Sequence, residues 1–291
     1  MHKIINRQTK EEKFCDLSKS QSFLYNHFFG RVFLKLLVRP FISKIGGIYM
    51  NSALSKKRIK KFIKTNNIDM SQFEKCDYKN YNQFFSRKIL SESRIIDRDK
   101  NSFISPCDSK LSVFRIEDNS VFKIKDSYYR IEDIIQDSKL AKEYVGGYCL
   151  IFRLTVDDYH RYCYVDDGTK EKNIPIKGIF HTVNPIALEH YNIYKRNARE
   201  YTILHTNNFE DVIQVEVGAL MVGKISNHHQ EYQFKKGEEK GTFLFGGSTI
   251  ILLVKDVIQI DEDIIYNSLN QDETIVKYGE RIGMKKVEKN I

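Results

Sequence analysis

The stretch from Lys240 to Val254 constrains the fold of this chain most strongly. Its apolar and β-branched residues flank a Gly-Gly-Ser-Thr core at positions 246–249. Such residues favour strands and paired glycines permit a tight bend, so the pattern predicts two strand segments joined at the glycines. A serine in this setting is most often a turn residue. It is not a hydrolase nucleophile elbow, because Ile250 occupies the place of the second glycine in Gly-x-Ser-x-Gly.

Length and cysteine content bound the class of protein. The chain has 291 residues, 41% of them hydrophobic, which suits one sizeable domain or one domain with an appended arm. Its five cysteines are widely spaced and form no Cys-x-x-Cys pair, which argues against a disulfide scaffold or a zinc knuckle and favours a reducing compartment. The first 21 residues lack the apolar region of a signal peptide, and we expect a polar leader with little order there.

The net charge of +9 is unevenly distributed along the chain. Residues 1–64 contain 15 Lys and Arg against 3 Asp and Glu, whereas the remainder contains 32 against 35. A basic arm on a near-neutral body indicates an anionic surface that the arm contacts. The basic cluster at residues 56–61 is not accompanied by a stacking motif, so we expect no nucleic-acid partner.

An amphipathic helix is predicted from Ser22 onward, because apolar residues recur there at helical spacing. Arg31, Lys35 and Arg39 form one basic stripe on it, and Pro40 should end or bend it. The stretch is too short and too charged to span a bilayer, so we expect it to lie in the headgroup region. The alternative is a helix buried against the domain core. Residues 41–50 and the basic cluster at 56–61 extend this arm.

From about Ile95 the sequence is rich in short runs that are typical of strands. They are β-branched, bounded by turn residues, and lie at residues 111–116, 121–124, 149–155, 174–182, 212–222 and 249–254. One helix is predicted at residues 130–136. The fold class is therefore α+β, with N-terminal amphipathic helices followed by a β-rich, antiparallel or sandwich-like domain. We expect the helical arm to comprise residues 1–94 and the β-rich domain residues 95–291.

Three segments contain residue types that carry chemistry, and a fourth, residues 84–87, closes the helical part. Residues 84–87 are Phe-Phe-Ser-Arg, and residues 104–110 are Ile-Ser-Pro-Cys-Asp-Ser-Lys. Residues 157–163 are Asp-Asp-Tyr-His-Arg-Tyr-Cys, and residues 178–185 are Gly-Ile-Phe-His-Thr-Val-Asn-Pro. Together with the Gly-Ser-Thr core, these segments resemble the phosphatidylserine decarboxylase family over roughly residues 82–285. The Asp-Tyr-His-Arg motif is the most specific of them.

The resemblance implies a self-processing enzyme. In that family the chain is cut before the motif serine, here between Gly247 and Ser248, and the serine becomes a pyruvoyl group. The products would be residues 1–247 and 248–291, which should stay paired as an α/β heterodimer. The pyruvoyl ketone would form a Schiff base with the amine of phosphatidylserine, and loss of carbon dioxide would give phosphatidylethanolamine. Neither a metal nor pyridoxal phosphate is expected.

The resemblance also implies roles for individual side chains. Asp108 would orient the base of self-cleavage, although an aspartate after proline is otherwise most simply an Asx-turn residue. His160 would assist decarboxylation. The second histidine of the family motif is Cys163 here, and residues 160 and 163 of one strand point to opposite faces. Our hypothesis is that His181 supplies the missing imidazole and is oriented by Asp108. The alternatives are His160, if the backbone bends between 160 and 163, and a Cys163 thiolate, which needs a charged neighbour to ionise.

Two alternative functions follow from the same residues. The same chemistry would serve a soluble α-amino acid, although the basic arm favours a lipid. A relative that binds lipid without processing itself would result if Cys163 abolished self-cleavage. The resemblance further implies a peripheral enzyme on the cytoplasmic face of a bacterial membrane, with phosphatidylserine and an anionic surface as partners. It also allows a dimer of processed units.

Overall fold

Helices occupy most of the N-terminal part of the chain. The computed structural model describes residues 3–14, 19–124, 127–182, 187, 191–219, 224–244, 246 and 248–287. The first helices are α1 (Lys19–Asn26), α2 (Phe28–Leu37), α3 (Pro40–Asn51), α4 (Lys57–Thr65) and α5 (Tyr81–Phe85). Helices among the later strands are α6 (Ile131–Ile135), α7 (Ser138–Lys142), α8 (Ile193–Arg196) and α9 (Glu262–Leu269).

Strands occupy most of the remainder. The first ten are β1 (Lys3–Asn6), β2 (Glu12–Phe14), β3 (Ser102–Ile104), β4 (Ser109–Arg115), β5 (Val121–Ile124), β6 (Ser127–Arg130), β7 (Tyr148–Leu154), β8 (Arg161–Cys163), β9 (Gly168–Lys170) and β10 (Ile174–Ile176). The later strands are β11 (Arg199–Thr206), β12 (Asp211–Val217), β13 (Lys224–Asn227), β14 (Tyr232–Phe234), β15 (Glu239–Leu244), β16 (Ser248–Val254), β17 (Ile258–Ile260), β18 (Glu273–Val276) and β19 (Arg281–Lys285).

A large mixed sheet forms the centre of the fold. Its strand order is β14-β9-β11-β12-β16-β7-β4-β18-β1-β2, and β10 joins it through β11. The strand pairs are antiparallel except for β1 with β18. Smaller sheets have the orders β13-β15-β8, β17-β19-β3 and β5-β6. The predicted α+β class is confirmed, because helices and strands concentrate in successive parts of the chain.

The strand β16 lies in the middle of this sheet, between β12 and β7. All seven of its residues are buried, which its continuous run of apolar and β-branched residues explains. The strand predicted at residues 249–254 is therefore confirmed. Its register pairs Ser248 with Leu154 of β7 and Thr249 with Val217 of β12.

The N-terminal residues differ from the expected leader. Residues 3–6 form β1, which pairs in parallel with β18, and Arg7 binds the carboxylates of Asp261 and Asp263 at 2.8–3.0 Å. The prediction of little order was therefore wrong for residues 3–14. Only the isoleucines of β1 hinted at a strand, and the acidic partners of Arg7 lie more than 250 positions away.

The predicted helical arm is present, but its first helix is divided. α1 ends at Asn26 and α2 begins after His27, while Pro40 begins α3, where proline's fixed φ suits the first turn. The predicted strand at 174–182 is shorter than expected, since only residues 174–176 form β10. The helix predicted at 130–136 is α6, which ends with Gln136 in the left-handed region.

Large apolar side chains are exposed along α1, α2 and α3. On α2, Phe29 is 78% exposed and Phe33 53% exposed, and on α3 Ile48 is 72% exposed. Other exposed members are Phe23, Phe28, Val32, Leu36, Phe41 and Ile45. Within the described ranges, no helix is both long and apolar enough to cross a membrane.

A buried ion pair between Arg153 of β7 and Glu273 of β18 yields the first testable prediction. The guanidinium donates to both carboxylate oxygens, with 2.7 Å between Nε and Oε1. Glu273→Gln should lower the free energy of unfolding by about 3 kcal/mol, because it leaves a buried cation without its counter-charge. Urea unfolding would measure this change. Glu262→Gln, at an exposed position on α9, is the control, and an equal loss in both variants would contradict the prediction.

Candidate active site

Ser248 begins β16 at the end of β7, and its side chain is buried. Among the described residues, its hydroxyl oxygen has no hydrogen-bond partner. Gly246 adopts a φ of +126°, a backbone conformation that glycine tolerates at little cost. The predicted scissile residue Gly247 lies outside the described residues. A buried hydroxyl without a partner costs free energy, which is a common sign of a group that serves chemistry.

The segment after β7 carries His160 and is fixed by a polar turn. β7 ends at Leu154 opposite Ser248, and the Asp158 carboxylate accepts hydrogen bonds from the Thr155 N–H at 2.7 Å and from Lys110 Nζ at 2.7 Å. The His160 carbonyl then accepts from the Phe243 N–H at 2.9 Å. Phe243 belongs to β15, which leads into Ser248. The His160 segment is therefore anchored to both strands that adjoin the serine.

His160 is held as a neutral imidazole. Its Nδ1 lies 2.9 Å from the Asp158 carbonyl, which can only accept, so Nδ1 carries the proton and Nε2 has the lone pair. Nε2 is buried and, within the described residues, has no partner. Burial lowers the pKa of His160 to about 3, and the charges of Arg87 and Lys110 add to this direction. A neutral imidazole with an unused lone pair can accept a proton.

Asp108 is ionised and bound by partners that the sequence did not suggest. Arg94 donates to both of its oxygens, at 2.9 Å and 2.5 Å, and the Tyr278 N–H donates to Oδ1 at 2.9 Å. Burial alone would raise the pKa of Asp108, but the Arg94 hydrogen bond and the Lys277 charge outweigh it and the pKa is lowered. The described hydrogen bonds of Asp108 include neither His160 nor His181.

Cys163 lies on β8 in surroundings different from those of His160. Its Sγ is 3.9 Å from the Ser105 carbonyl, whereas the His160 ring packs 4.2 Å from the ring of Phe85. Because β8 begins at Arg161, His160 lies outside this strand, and the opposite directions expected for two residues of one strand do not apply to the pair. Burial raises the pKa of Cys163 to about 12, so at neutral pH the side chain is a thiol. A thiol cannot act as the base, which weighs against the third alternative.

His181 lies against helix α1 and not against Asp108. Its Nδ1 is 3.4 Å from the Tyr25 hydroxyl, and its ring stacks on Tyr191 at 4.3 Å. The Asn197 amide binds both the His181 carbonyl at 2.9 Å and the Gly218 carbonyl at 2.8 Å. The expected pairing of His181 with Asp108 is thus absent from the described contacts, because Arg94 and the Tyr278 N–H engage that carboxylate instead.

Asn197 nevertheless ties His181 to the neighbourhood of the serine. Gly218 directly follows Val217, which lies opposite Thr249. Burial lowers the pKa of His181 to about 4, and the Arg196 charge adds to this, so His181 is also neutral. The segments of two neutral histidines therefore connect to strands that neighbour β16. The His160 segment follows β7, and the His181 segment is linked through Asn197 to Gly218 at the end of β12.

A cavity of about 450 Å³ opens beside the His160 segment. Its apolar lining includes Met50, Phe62, Tyr81 and Val156, and the α4 residues Lys57, Arg58 and Lys61 also line it. Tyr81 stacks on Phe85 at 6.3 Å, and Phe85 packs on His160. Two aromatic rings, those of Tyr81 and Phe85, therefore connect the cavity wall to His160.

Several residues around the site carried no recognisable signal in the sequence. Lys110 and Arg94 look like ordinary surface cations, and only their distant partners Asp158 and Asp108 give them a role. Arg87 is different, since it belongs to the Phe-Phe-x-Arg segment and could have been found there. In the part of the chain that the structure describes, no group of three His, Cys, Asp or Glu side chains could hold a metal ion.

Comparison with known proteins gives consistent matches along the chain. Residues 81–284 match the family model described as phosphatidylserine decarboxylase. The chain is 49% identical over 284 residues to phosphatidylserine decarboxylase proenzyme 2 of Clostridium acetobutylicum, covering 96% of this chain and 97% of that relative. It is 44% identical to the phosphatidylserine decarboxylase proenzyme of Clostridium perfringens and 42% identical to that of Clostridium botulinum, covering 98% of this chain and 100% of each relative.

The neutral histidines predict a loss of stability in acid. An unfolded histidine has a pKa near 6.5. Between that value and the lowered pKa of the folded state, the unfolded state binds more protons, so the free energy of unfolding decreases as the pH is lowered. For His181, whose pKa is about 4, the loss at pH 5 relative to neutral pH is about 2 kcal/mol. His181→Gln should remove this contribution to the loss of stability, and urea unfolding at pH 7 and pH 5 would measure the change.

The control for this prediction is His205→Gln. Hydrogen bonding to Asp211 raises the pKa of His205, so its protonation favours the folded state and the opposite sign applies. That variant should lose at least as much stability as the wild type between pH 7 and pH 5. An unchanged acid dependence in His181→Gln would contradict the prediction.

Proposed function

The chain belongs to the phosphatidylserine decarboxylase family, and from this premise we propose that it converts phosphatidylserine to phosphatidylethanolamine after cutting itself between Gly247 and Ser248. The observation that carries the proposal is the buried Ser248 hydroxyl, which has no partner among the described residues and begins the central strand. The relatives' designation as proenzymes supports processing. Their near full-length similarity favours neither a soluble amino-acid decarboxylase nor a non-processing lipid binder.

Self-cleavage requires only groups of the chain and water. A base takes the proton of Ser248 Oγ, which attacks the Gly247 carbonyl carbon, and an ester replaces the peptide bond as the Ser248 nitrogen takes up a proton. Loss of the Ser248 α-proton then expels the Gly247 carboxylate and leaves a double bond between Cα and Cβ. Water converts this enamine into a ketone and releases ammonia. The buried Ser248 position fits this sequence, because it limits the access of bulk water to the ester.

His160 is the base that the described contacts favour. Its Nε2 has an unused lone pair and its segment adjoins Ser248 through both β7 and β15. Cys163 is a thiol at neutral pH. The His181 imidazole is engaged by Tyr25 and Tyr191. Because Asp108 does not bind His160 within the described residues, the Asp158 carbonyl fixes the imidazole tautomer in its place.

The mature enzyme would use the same region for decarboxylation. A pyruvoyl group at position 248 would supply the electron sink that a leaving carbon dioxide requires. Nε2 of His160 has the lone pair that would take and return a proton, and Phe85 against its ring keeps that side of the site apolar. Burial disfavours the protonated imidazole, so His160 would pass the proton on and return to the neutral form. Residues 248–291 would stay bound, because β16 pairs with β12 and β7, and β18 pairs with β1 and β4.

We further propose that α1, α2 and α3 hold the enzyme on an anionic membrane surface. Their exposed aromatic and aliphatic side chains accompany the excess of Lys and Arg in residues 1–64. Apolar area inserted into the headgroup region and cations near anionic lipids both favour binding. The proposed location is the cytoplasmic face of a bacterial membrane. The proposed form is a heterodimer of the two processed chains, with a membrane-associating arm of residues 1–94 and a catalytic domain of residues 95–291.

Self-cleavage can be tested by intact mass under denaturing conditions. The wild type should give residues 1–247 and a 44-residue chain, 248–291, with a blocked N-terminus of pyruvoyl mass. Ser248→Ala should remain uncut, because it lacks the nucleophile. His160→Gln should also remain largely uncut, because Oγ would lack its base.

Two variants serve as controls for the base. Cys163→Ser and His181→Gln should both cleave like the wild type. Normal cleavage in His160→Gln together with an uncut His181→Gln would transfer the role to His181. An uncut wild type would contradict the proposed maturation.

Membrane binding predicts a position-specific effect of exposed apolar residues. Replacing Phe29 and Phe33 with serine should weaken sedimentation with phosphatidylserine-containing vesicles by about tenfold or more, because each aromatic ring loses its burial in the headgroup region. Tyr266→Ser with Leu269→Ser removes similarly exposed residues from α9, at 68% and 79% exposure, and should leave binding unchanged. Equal weakening in both double variants would argue against a docking face on α2.

A further inference from the structure

The guanidinium of Arg87 is buried and unsatisfied. Its side chain is 2% exposed, and within the described ranges none of its three nitrogens has a hydrogen-bond partner. It lies over the rings of Phe73 at 4.2 Å and Phe84 at 4.9 Å. Aromatic faces attract a cation but accept none of its N–H bonds in full. The described residues therefore offer no hydrogen-bond acceptor to the five buried donors of Arg87.

Other buried arginines of this chain show how the fold satisfies such a group. Arg199 donates to four backbone carbonyls, those of Ile134, Lys195, Asn197 and Asp133, at 2.6–3.0 Å. Arg153 donates to the Glu273 carboxylate from two of its nitrogens. An unpaired buried charge costs several kcal/mol on typical scales, so Arg87 is an exception that stability alone does not explain.

Arg87 lies next to the catalytic region and is connected to the cavity wall through the ring of Phe84. It follows α5, whose Phe85 packs on His160, and its positive charge contributes to the lowered pKa of His160. It covers one face of Phe84, whose ring also contacts Phe62 at 6.0 Å and Tyr81 at 5.8 Å. Phe62 and Tyr81 line the cavity beside the His160 segment.

We propose that Arg87 binds an oxyanion of the substrate lipid through its planar fork of N–H groups, an inference that rests on the proposed function. A guanidinium matches carboxylate and phosphate oxygens with two parallel hydrogen bonds. Phosphatidylserine offers both, a carboxylate that leaves as carbon dioxide and a phosphodiester that remains in the product. Binding either one would satisfy the buried cation, and Lys57, Arg58 and Lys61 of the cavity would attract the same negative charge during entry.

The proposal predicts opposite effects of Arg87→Gln on stability and on binding. Removing an unpaired buried charge should leave the melting temperature of the unliganded protein unchanged or higher. The KM for phosphatidylserine in detergent micelles should rise roughly tenfold to a hundredfold, the range for loss of a charge-assisted contact. Self-cleavage, measured by mass, should proceed. Arg87→Lys keeps the charge without the fork, and its KM should lie between the wild type and Arg87→Gln.

Phosphatidylethanolamine distinguishes the two oxyanions, because it retains the phosphodiester and lacks the carboxylate. If Arg87 binds the phosphodiester, Arg87→Gln should weaken inhibition by phosphatidylethanolamine as much as it raises the KM. If Arg87 binds the carboxylate, that inhibition should be unchanged while the KM still rises. The matched control is Arg199→Gln, whose satisfied guanidinium is structural, and it should lower the melting temperature without this selective effect on binding.

The proposal fails if Arg87→Gln leaves both the KM and phosphatidylethanolamine binding unchanged. It also fails if the variant is destabilised as strongly as Arg199→Gln, since Arg87 would then be structural. A wild type without activity on phosphatidylserine would instead overturn the proposed function. In that case direct binding of phosphatidylethanolamine and phosphatidylserine micelles to wild type and Arg87→Gln still decides the role of Arg87, because it requires no turnover.

Discussion

The pairing of β16 with β7 on one side and β12 on the other governs the geometry of the site. Both faces of β16 are buried, so a shift of one residue would move every side chain to the wrong face, and the register is firmly set. That register brings Ser248 to the end of β7, where the His160 segment begins. The same ladders explain how a chain cut before residue 248 would keep its parts together, since nearly every strand after that point pairs with one before it.

Buried ion pairs fix the elements around this centre. Lys240 is the extra residue of a bulge between β15 and β8, and its ammonium binds Glu216 of β12 at 2.7 Å, both side chains being fully buried. This contact joins the small sheet β13-β15-β8 to the large sheet that contains β16. Lys110 with Asp158 fixes the turn before His160 in the same manner. Such pairs add little net stability, but breaking one is costly, so they specify a single arrangement. Arg87 is conspicuous because it lacks such a partner among the described residues.

Local patterns predicted much of the fold but few of the contacts in the site. The strand at residues 249–254 follows from its apolar run, and the break in the helical arm at Pro40 follows from proline's restricted backbone. The strand at residues 3–6 does not, because its stability comes from β18, some 270 positions away. The family motifs identified Asp108 and His160 as site residues. They could not show that Arg94 binds the Asp108 carboxylate, or that the Asp158 carbonyl binds the His160 ring. Those partners depend on burial and long-range packing, which a short motif does not encode.

The helical part connects the proposed membrane surface to the chemistry. On α3 the exposed Ile48 faces solvent, while Met50 two residues later is 2% exposed and lines the cavity. A phospholipid must keep its acyl chains in the membrane while its headgroup reaches His160, so the surface that holds the lipid and the wall that guides the headgroup have to lie close together. α3 meets this requirement, because it presents apolar residues both to the solvent and to the cavity. The basic residues of α4 line the same cavity, and Arg87 lies behind its wall against Phe84. Positive charge is therefore concentrated on this side of the fold, where it would attract a negatively charged headgroup.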